Sequence, residues 1–281
     1  KYELFTARGS TPIYIDAAYF EETQTGMFAP TRFGKGVSAG VLLAQSVRRG
    51  NCVFMVDPKG DKNLPYILEY EAKKAGKPFV YLDLTPEGKG SWDPFKGGTI
   101  RDRRARMLST FKLEPGGTNA DVYKSKERTV VDKVLATTDG SVRQMFEAVC
   151  AIVGKDDLSE LRDGLSEWMQ ISTFTANRKR KGHSIEQSLL NGAVVYVKGS
   201  LNDGVIKRAT RTYVSELIQE SKRLDPQRKT HLTMFVDEVR FVMSNEIVDA
   251  LATSAGFKTN MILATQAVSD LRNLEDKTID G

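Results

Sequence analysis

Asn51-Cys52-Val53-Phe54-Met55-Val56-Asp57 is an apolar run that ends on an acid. A strand with one solvated face alternates apolar and polar residues, so an unbroken run predicts a strand covered on both faces, as in a parallel sheet. Four more stretches read the same way: Pro78 to Leu82, Ala193 to Val197, His231 to Glu238 and Asn260 to Ala264. Between them lie segments with apolar residues at helical spacing, at Gly36–Arg49, Lys62–Ala75 and about Asn202–Arg223. In the first, Val37, Val41, Leu42 and Val47 make the expected buried face. Shorter strands are expected at Thr11–Ile15 and Gly26–Phe28, and further helices from near Asn245 and Val268. Strand and helix in alternation predict a right-handed α/β arrangement with helices on both faces of the sheet.

From Ile100 to about Arg180 the strand pattern stops. Helices are expected instead at Asp102–Phe111, Asp121–Leu135, Val142–Val153 and Leu158–Ile171. The expected organisation is one α/β domain in two parts, residues 1–99 and 184–281, interrupted by an all-α domain at 100–183. With 281 residues, 40% hydrophobic and 27% charged, the composition excludes intrinsic disorder, collagen and a disulfide scaffold. Cys52 and Cys150 are too few for a multi-ligand metal cluster and read as reduced core thiols of a cytosolic protein. Lys and Arg number 41 against 36 Asp and Glu, and the resulting +5 names no partner but suits an anionic one. The longest uncharged stretch, Gly36 to Val47, falls short of the roughly 20 residues that span a bilayer. Lys1-Tyr2-Glu3-Leu4 lacks the apolar core of a signal peptide, and an opening residue other than Met suggests a piece of something longer.

The sharpest local signal is Ala29-Pro30-Thr31-Arg32-Phe33-Gly34-Lys35-Gly36-Val37-Ser38, between an expected strand and an expected helix. A phosphate-binding loop needs exposed N–H groups, a helix N-terminus aimed at the anion, and a lysine for the β- and γ-phosphates. Gly34 and Lys35 stand where that motif wants them, with Thr31 to Val37 as the candidate binding loop. Ala29 replaces the usual first glycine, and Gly36 replaces the Ser or Thr whose hydroxyl binds Mg²⁺, leaving Thr31, Ser38 or water for that task. The bland alternative is a glycine turn before a helix, with Lys35 solvated.

Met234-Phe235-Val236-Asp237-Glu238 puts two carboxylates at the end of a strand, where ligands of open α/β sheets bind. Asp237 would hold Mg²⁺ or its water, and Glu238 would orient or deprotonate the water attacking a γ-phosphate. Asn260 to Ala264 runs into Thr265 and Gln266, whose amide could sense the same phosphate. Each of these strand ends could instead be a solvated turn. The spacing from Lys35 to Asp237, 237 − 35 = 202, suits a nucleotide core split by an insertion. The run Arg178-Lys179-Arg180-Lys181 is a candidate DNA contact or a solvated loop, and Arg101, Arg103, Arg104 and Arg106 carry the same ambiguity. His183 and His231 have no partners at metal-ligand spacing, while Trp92 and Trp168 read as packing residues.

In order along the chain, Pro30 to Val37, Val56-Asp57-Pro58-Lys59-Gly60-Asp61, Trp92-Asp93-Pro94-Phe95, Val236-Asp237-Glu238 and Ala264 to Leu271 resemble the coupling proteins of conjugative type IV secretion, hexameric ATPases of the TraD/TraG type. A glycine after the loop lysine is common in that family. The resemblance implies a RecA-like P-loop NTPase sheet with an inserted all-α domain, using ATP and Mg²⁺. It implies a homo-hexamer that passes a DNA–relaxase complex to a secretion channel, at the cytoplasmic face of the bacterial inner membrane, anchored by a segment absent from this chain. An arginine from a neighbouring protomer would reach the γ-phosphate. Where the family often has Gly-Arg-x-x-Gly, this chain has Thr253-Ser254-Ala255-Gly256-Phe257-Lys258, so Arg240, Arg208 or Arg211 would serve. The alternatives are a nucleotide-binding platform that recruits protein substrates, and a chromosomal DNA translocase.

Overall fold

The structure, a computed structural model, describes residues 1–7, 11–30, 33–117, 121–154, 157–175, 182–243 and 245–269. It opens with β1 (Tyr2–Ala7), β2 (Thr11–Ile15), α1 (Ala17–Glu22), β3 (Thr25–Phe28), α2 (Lys35–Arg48), β4 (Cys52–Asp57), α3 (Leu64–Lys74) and β5 (Phe79–Asp83). Helices follow: α4 (Ile100–Thr110), α5 (Asp121–Thr137), α6 (Val142–Ile152), α7 (Glu160–Trp168), α8 (Ser172–Thr175) and α9 (Ile185–Leu190). The sheet then resumes with β6 (Val194–Lys198), α10 (Gly204–Arg223), β7 (Leu232–Val236), α11 (Asn245–Thr253) and β8 (Thr259–Thr265).

Six parallel strands form the main sheet in the order β3-β8-β7-β4-β6-β5. Every residue of β4, β7 and β8 is buried, which is why their sequences show no polar alternation. Side chains of one strand point alternately to opposite faces. Val53 and Met55 therefore join Leu42, Leu43, Val47 and Leu68 under α2 and α3. Cys52, Phe54 and Val56 point the other way, into a core that passes α10 and continues through Met107, Val134, Val149 and Trp168 of the helical region. Burying each large apolar side chain contributes roughly 1.5–3 kcal/mol. The strand at Thr11–Ile15 does form, but it pairs with β1 in a separate antiparallel ribbon packed on α2.

Some expectations are corrected. Val37 and Val41 are exposed, and α2 buries Ala39, Leu42, Leu43, Ala44 and Val47 instead. Cys150 is exposed rather than a core thiol, because α6 buries Val142, Met145 and Val149 and the next residue turns about 100° away. Cys52 is buried as expected, and desolvation pushes its thiol up to about 12. β1, α1 and α9 had no counterpart in the sequence reading. The two short helices are started by Asp16, which accepts from the N–H groups of Ala18 and Tyr19, and by Ser184, which accepts from that of Gln187. The helix expected from Val268 falls almost wholly outside the described residues.

Both tryptophans pack internally. Trp168 stacks on Phe95 at 5.7 Å and on Phe174 at 4.8 Å, and Trp92 meets Tyr213 edge-on at 5.0 Å. The arginines of α4 separate. Arg106 is fully buried, while Arg104 pairs with Asp132 at 2.6 Å and Arg103 donates to the Gly98 carbonyl at 3.3 Å. His183 shares a 2.8 Å hydrogen bond with Tyr213, and His231 a 2.9 Å one with Asn260. Among the described residues no group of three His, Cys, Asp or Glu could hold a metal ion alone, and no helix is long and apolar enough to cross a membrane.

Candidate nucleotide site

The strand order decides the site. β8 lies between β3, which leads to the glycine-containing loop, and β7, which ends in Asp237 and Glu238. All three strands are parallel, so the loop, the two carboxylates and Gln266 emerge at one edge. Gly34 caps α2 in the left-handed region, at φ 85° and ψ 9°. A Cβ there would meet nothing within 4 Å, so it is the backbone conformation that asks for glycine. Among the described residues no side chain caps this helix, which leaves its first N–H groups and its positive end for an anion.

Glu238 is the centre of the arrangement. Its own backbone is left-handed, at φ 44° and ψ 49°, a conformation that costs a non-glycine residue on the order of 1–3 kcal/mol. Its side chain is fully buried. Oε1 accepts from Lys35 at 3.3 Å, from the Gln266 amide at 3.4 Å and, in a shorter contact, from Lys59. Arg240 Nε lies 3.6 Å from Oε2 of the same chain, with its guanidinium 4.6 Å from the Phe241 ring. Burial pushes the Glu238 carboxyl up, but the hydrogen bond and charge of Lys59, the charge of Lys35 and the Gln266 amide outweigh it, so the group stays below its usual range. Next to it, Asp237 is raised, first by burial and then by Asp57, with Lys59 opposing. The Asp237 carboxylate accepts the Glu238 N–H at 2.9 Å.

Sequence reading assigned Lys59 no role. It stands in the turn after β4, which pairs directly with β7. That turn is wound around Asp57, which accepts the N–H groups of Lys59 at 2.9 Å, Gly60 at 3.0 Å and Asp61 at 2.7 Å. The Tyr196 hydroxyl donates to the same carboxylate at 2.5 Å. Asp61 in turn accepts the N–H groups of Asn63 and Leu64 and so starts α3.

A cavity of about 830 Å³ is bordered by Gly34, Lys35, Gly36, Asp57, Asp61 and Asp237 and extends along the groove between α2 and α3. Its walls fit a nucleotide phosphate and Mg²⁺. There is an uncapped helix end and a pair of lysines already holding an anionic oxygen. One half-buried carboxylate that lines the cavity, Asp237, is present where Mg²⁺ commonly takes one or two and completes its shell with phosphate oxygens and water. Gly36 faces Asp61, whose Oδ2 would be 3.4 Å from a Cβ, and Ser38 does not line the cavity. Phe33 is exposed, Val37 lines the rim, and Thr31 and Arg32 lie outside the described residues. So do Arg178, Lys179, Arg180 and Lys181. Arg208 and Arg211 face elsewhere: the first pairs with Glu167 and the second donates to the Phe241 carbonyl at 3.0 Å, beside a separate cavity of about 750 Å³.

No protein-family model and no curated protein matches the sequence. Solved structures do match. The bacterial conjugative coupling protein TrwB, in its unbound form, superposes with a TM-score of 0.65 at 18% identity, over 95% of this chain and 67% of that one. TrwB in complex with ADP and Mg²⁺ gives 0.61 at 18% identity, over 96% and 69%. VirB4 of Thermoanaerobacter pseudethanolicus gives 0.59 at 14% identity, over 96% and 77%. The chain therefore shares the α/β fold of these proteins, a six-stranded parallel sheet with a helical stretch between β5 and β6.

Proposed function

We propose that this chain is the ATP-driven motor part of a type IV secretion coupling protein, which moves DNA and its bound relaxase towards the secretion channel. The observation that carries the reading is the meeting of Lys35 and Gln266 on the Glu238 carboxylate, brought together from three neighbouring strand ends. TrwB, which has this fold, was solved with ADP and Mg²⁺ and with the non-hydrolysable analogue ADPNP. In this reading residues 31–37 and the N-terminus of α2 hold the phosphates, and Lys35 neutralises them. Asp237 holds Mg²⁺, which supplies charge neutralisation at the phosphate oxygens. Glu238, which its cationic neighbours keep ionised, orients the attacking water and takes its proton. Gln266 senses the γ-phosphate by hydrogen bonding.

Residues 1–99 and 184–281 would form the motor, with 100–183 as its inserted helical domain. Six copies would close a ring, and Arg178 to Lys181 would line its mouth and attract a nucleic-acid backbone without reading sequence. Arg240 is the candidate to reach a neighbour's nucleotide. A membrane segment outside this chain would hold the ring at the cytoplasmic face of the inner membrane. ATP turnover with and without single- and double-stranded DNA tests the proposal: DNA should stimulate it, Lys35→Ala should abolish it, and Glu238→Gln should lower it by about 10²–10⁴. Nucleotide binding without turnover, with or without DNA, would point instead to a docking platform.

A further inference from the structure

Glu238 poses a problem of charge that Lys35 alone does not solve. The carboxylate is fully buried, and Lys35 Nζ is one of its partners at 3.3 Å. When Lys35 turns to the phosphates of a nucleotide, that partner is withdrawn and a second anion arrives. A buried charge stripped of its partner is strongly unfavourable. Among the described residues of the phosphate loop no other cation contacts Oε1, and Arg240 approaches the other oxygen.

Lys59 answers this from a different element. Its Nζ contacts the same Oε1 as Lys35, while its backbone belongs to the turn after β4. That turn has little freedom: three successive N–H groups bind Asp57, Tyr196 anchors Asp57 from β6, and Gly60 sits in the left-handed region at φ 72° against the Lys198 side chain. Movement of the phosphate loop therefore need not move Lys59. We infer that Lys59 is a positioning residue that keeps the Glu238 carboxylate paired and in place while Lys35 engages phosphate. The inference rests on the nucleotide reading of the site.

The other possible task, direct contact with phosphate, predicts a different pattern in a double-mutant cycle. The probe is a fluorescent, non-hydrolysable ATP analogue with Mg²⁺, titrated against the wild type, Lys59→Met, Glu238→Gln and the double variant. Lys59→Met is expected to weaken binding about tenfold in the wild-type background and by less than about twofold beside Glu238→Gln, because a neutral amide needs no counter-charge. Lys59→Arg keeps the charge and is expected to bind within about threefold of wild type, which separates lost pairing from misfolding. Equal loss in both backgrounds would make Lys59 a phosphate ligand, and no loss in either would make it a bystander; both overturn the inference. A wild type that binds the analogue no better than Lys35→Ala would sink the nucleotide reading itself, and the inference with it.

Discussion

Glu238 and Glu216 are both buried, one at the carboxyl edge of the sheet and the other on α10 beneath the helical region. Glu238 touches Lys35, Lys59 and Arg240 and stays below its usual protonation range. Glu216 accepts one hydrogen bond, from the Trp92 indole at 3.0 Å. Burial raises its carboxyl to about 7, against the charge of Arg106 and the Trp92 hydrogen bond, with Glu220 and Asp93 adding to the rise. The same side chain is thus held charged in one place and pushed towards its neutral form in the other, and the number of cations in contact decides which. The sharpest way to break this contrast is to neutralise each in turn. Glu238→Gln should lower ATP turnover by about 10²–10⁴, while Glu216→Gln should leave it within about threefold. Equal losses would show that Glu238 has no special place in the chemistry.

Arg106 extends the contrast to cations. Lys35 and Lys59 line a cavity and converge on a carboxylate behind its wall, whereas Arg106 is wholly buried and spends its guanidinium on the Pro94 carbonyl at 3.0 Å, Gln219 at 2.5 Å and the Gly97 carbonyl at 2.6 Å. Arg106→Met would leave these acceptors unpaired and Glu216 without its nearest counter-charge. Unfolding in urea should show a loss of about 3–5 kcal/mol, with affinity for nucleotide analogue unchanged. A loss of binding at preserved stability would mean that this arginine belongs to the site and not to the packing.

The parts of this molecule that sequence reveals are those where one physical cause dominates. β4, β6, β7 and β8 are buried on both faces and so are mostly apolar without polar alternation, and the resulting order of strands and helices was legible. Lys35, Asp237, Glu238 and Gln266 could be singled out in the sequence because each stands at the end of such a run or opens a helix. Lys59 was not: Asp57-Pro58-Lys59-Gly60-Asp61 reads as a charged turn, and only the pairing of β4 with β7, which chain order does not give, brings it to Glu238. β1 was hidden for a related reason, since it pairs with β2 outside the main sheet. Arg106 looked like one of four equivalent basic residues, and helical phase alone turns it inward.

Acidity separates the two glutamates by sign. The folded value for Glu216, about 7, lies above its ordinary 4.5, so between these values the native state holds a proton that the unfolded chain has released. Stability should therefore fall as pH rises through that window, with a penalty on the order of 3 kcal/mol fully present above pH 7. Glu238 does the reverse: its pairing contributes stability above the ordinary 4.5, and this is lost as pH falls through the lowered folded value. Unfolding free energies from urea titrations of wild type and Glu216→Gln should diverge in favour of the variant by about 2–3 kcal/mol between roughly pH 5 and pH 8. A difference that does not change with pH would remove the buried proton from Glu216.

The smallest expected effect concerns how Lys59 is aimed. Gly60 has φ 72°, and an added Cβ would lie 3.0 Å from Lys198 Cε, the far part of a flexible side chain that can yield. The remaining cost of Gly60→Ala is backbone strain, about 1 kcal/mol. Gly34 has a similar φ, 85°, with open space around it, so Gly34→Ala should cost about the same stability. Binding should separate the two, because the strain acts on different partners. Gly34 precedes Lys35 on the phosphate loop, and its replacement should weaken the ATP analogue in any background. Gly60 follows Lys59, so its replacement should weaken the analogue by a smaller factor than Lys59→Met, and only while residue 238 is a glutamate. Loss in the Glu238→Gln background as well would mean that the β4 turn touches the nucleotide directly.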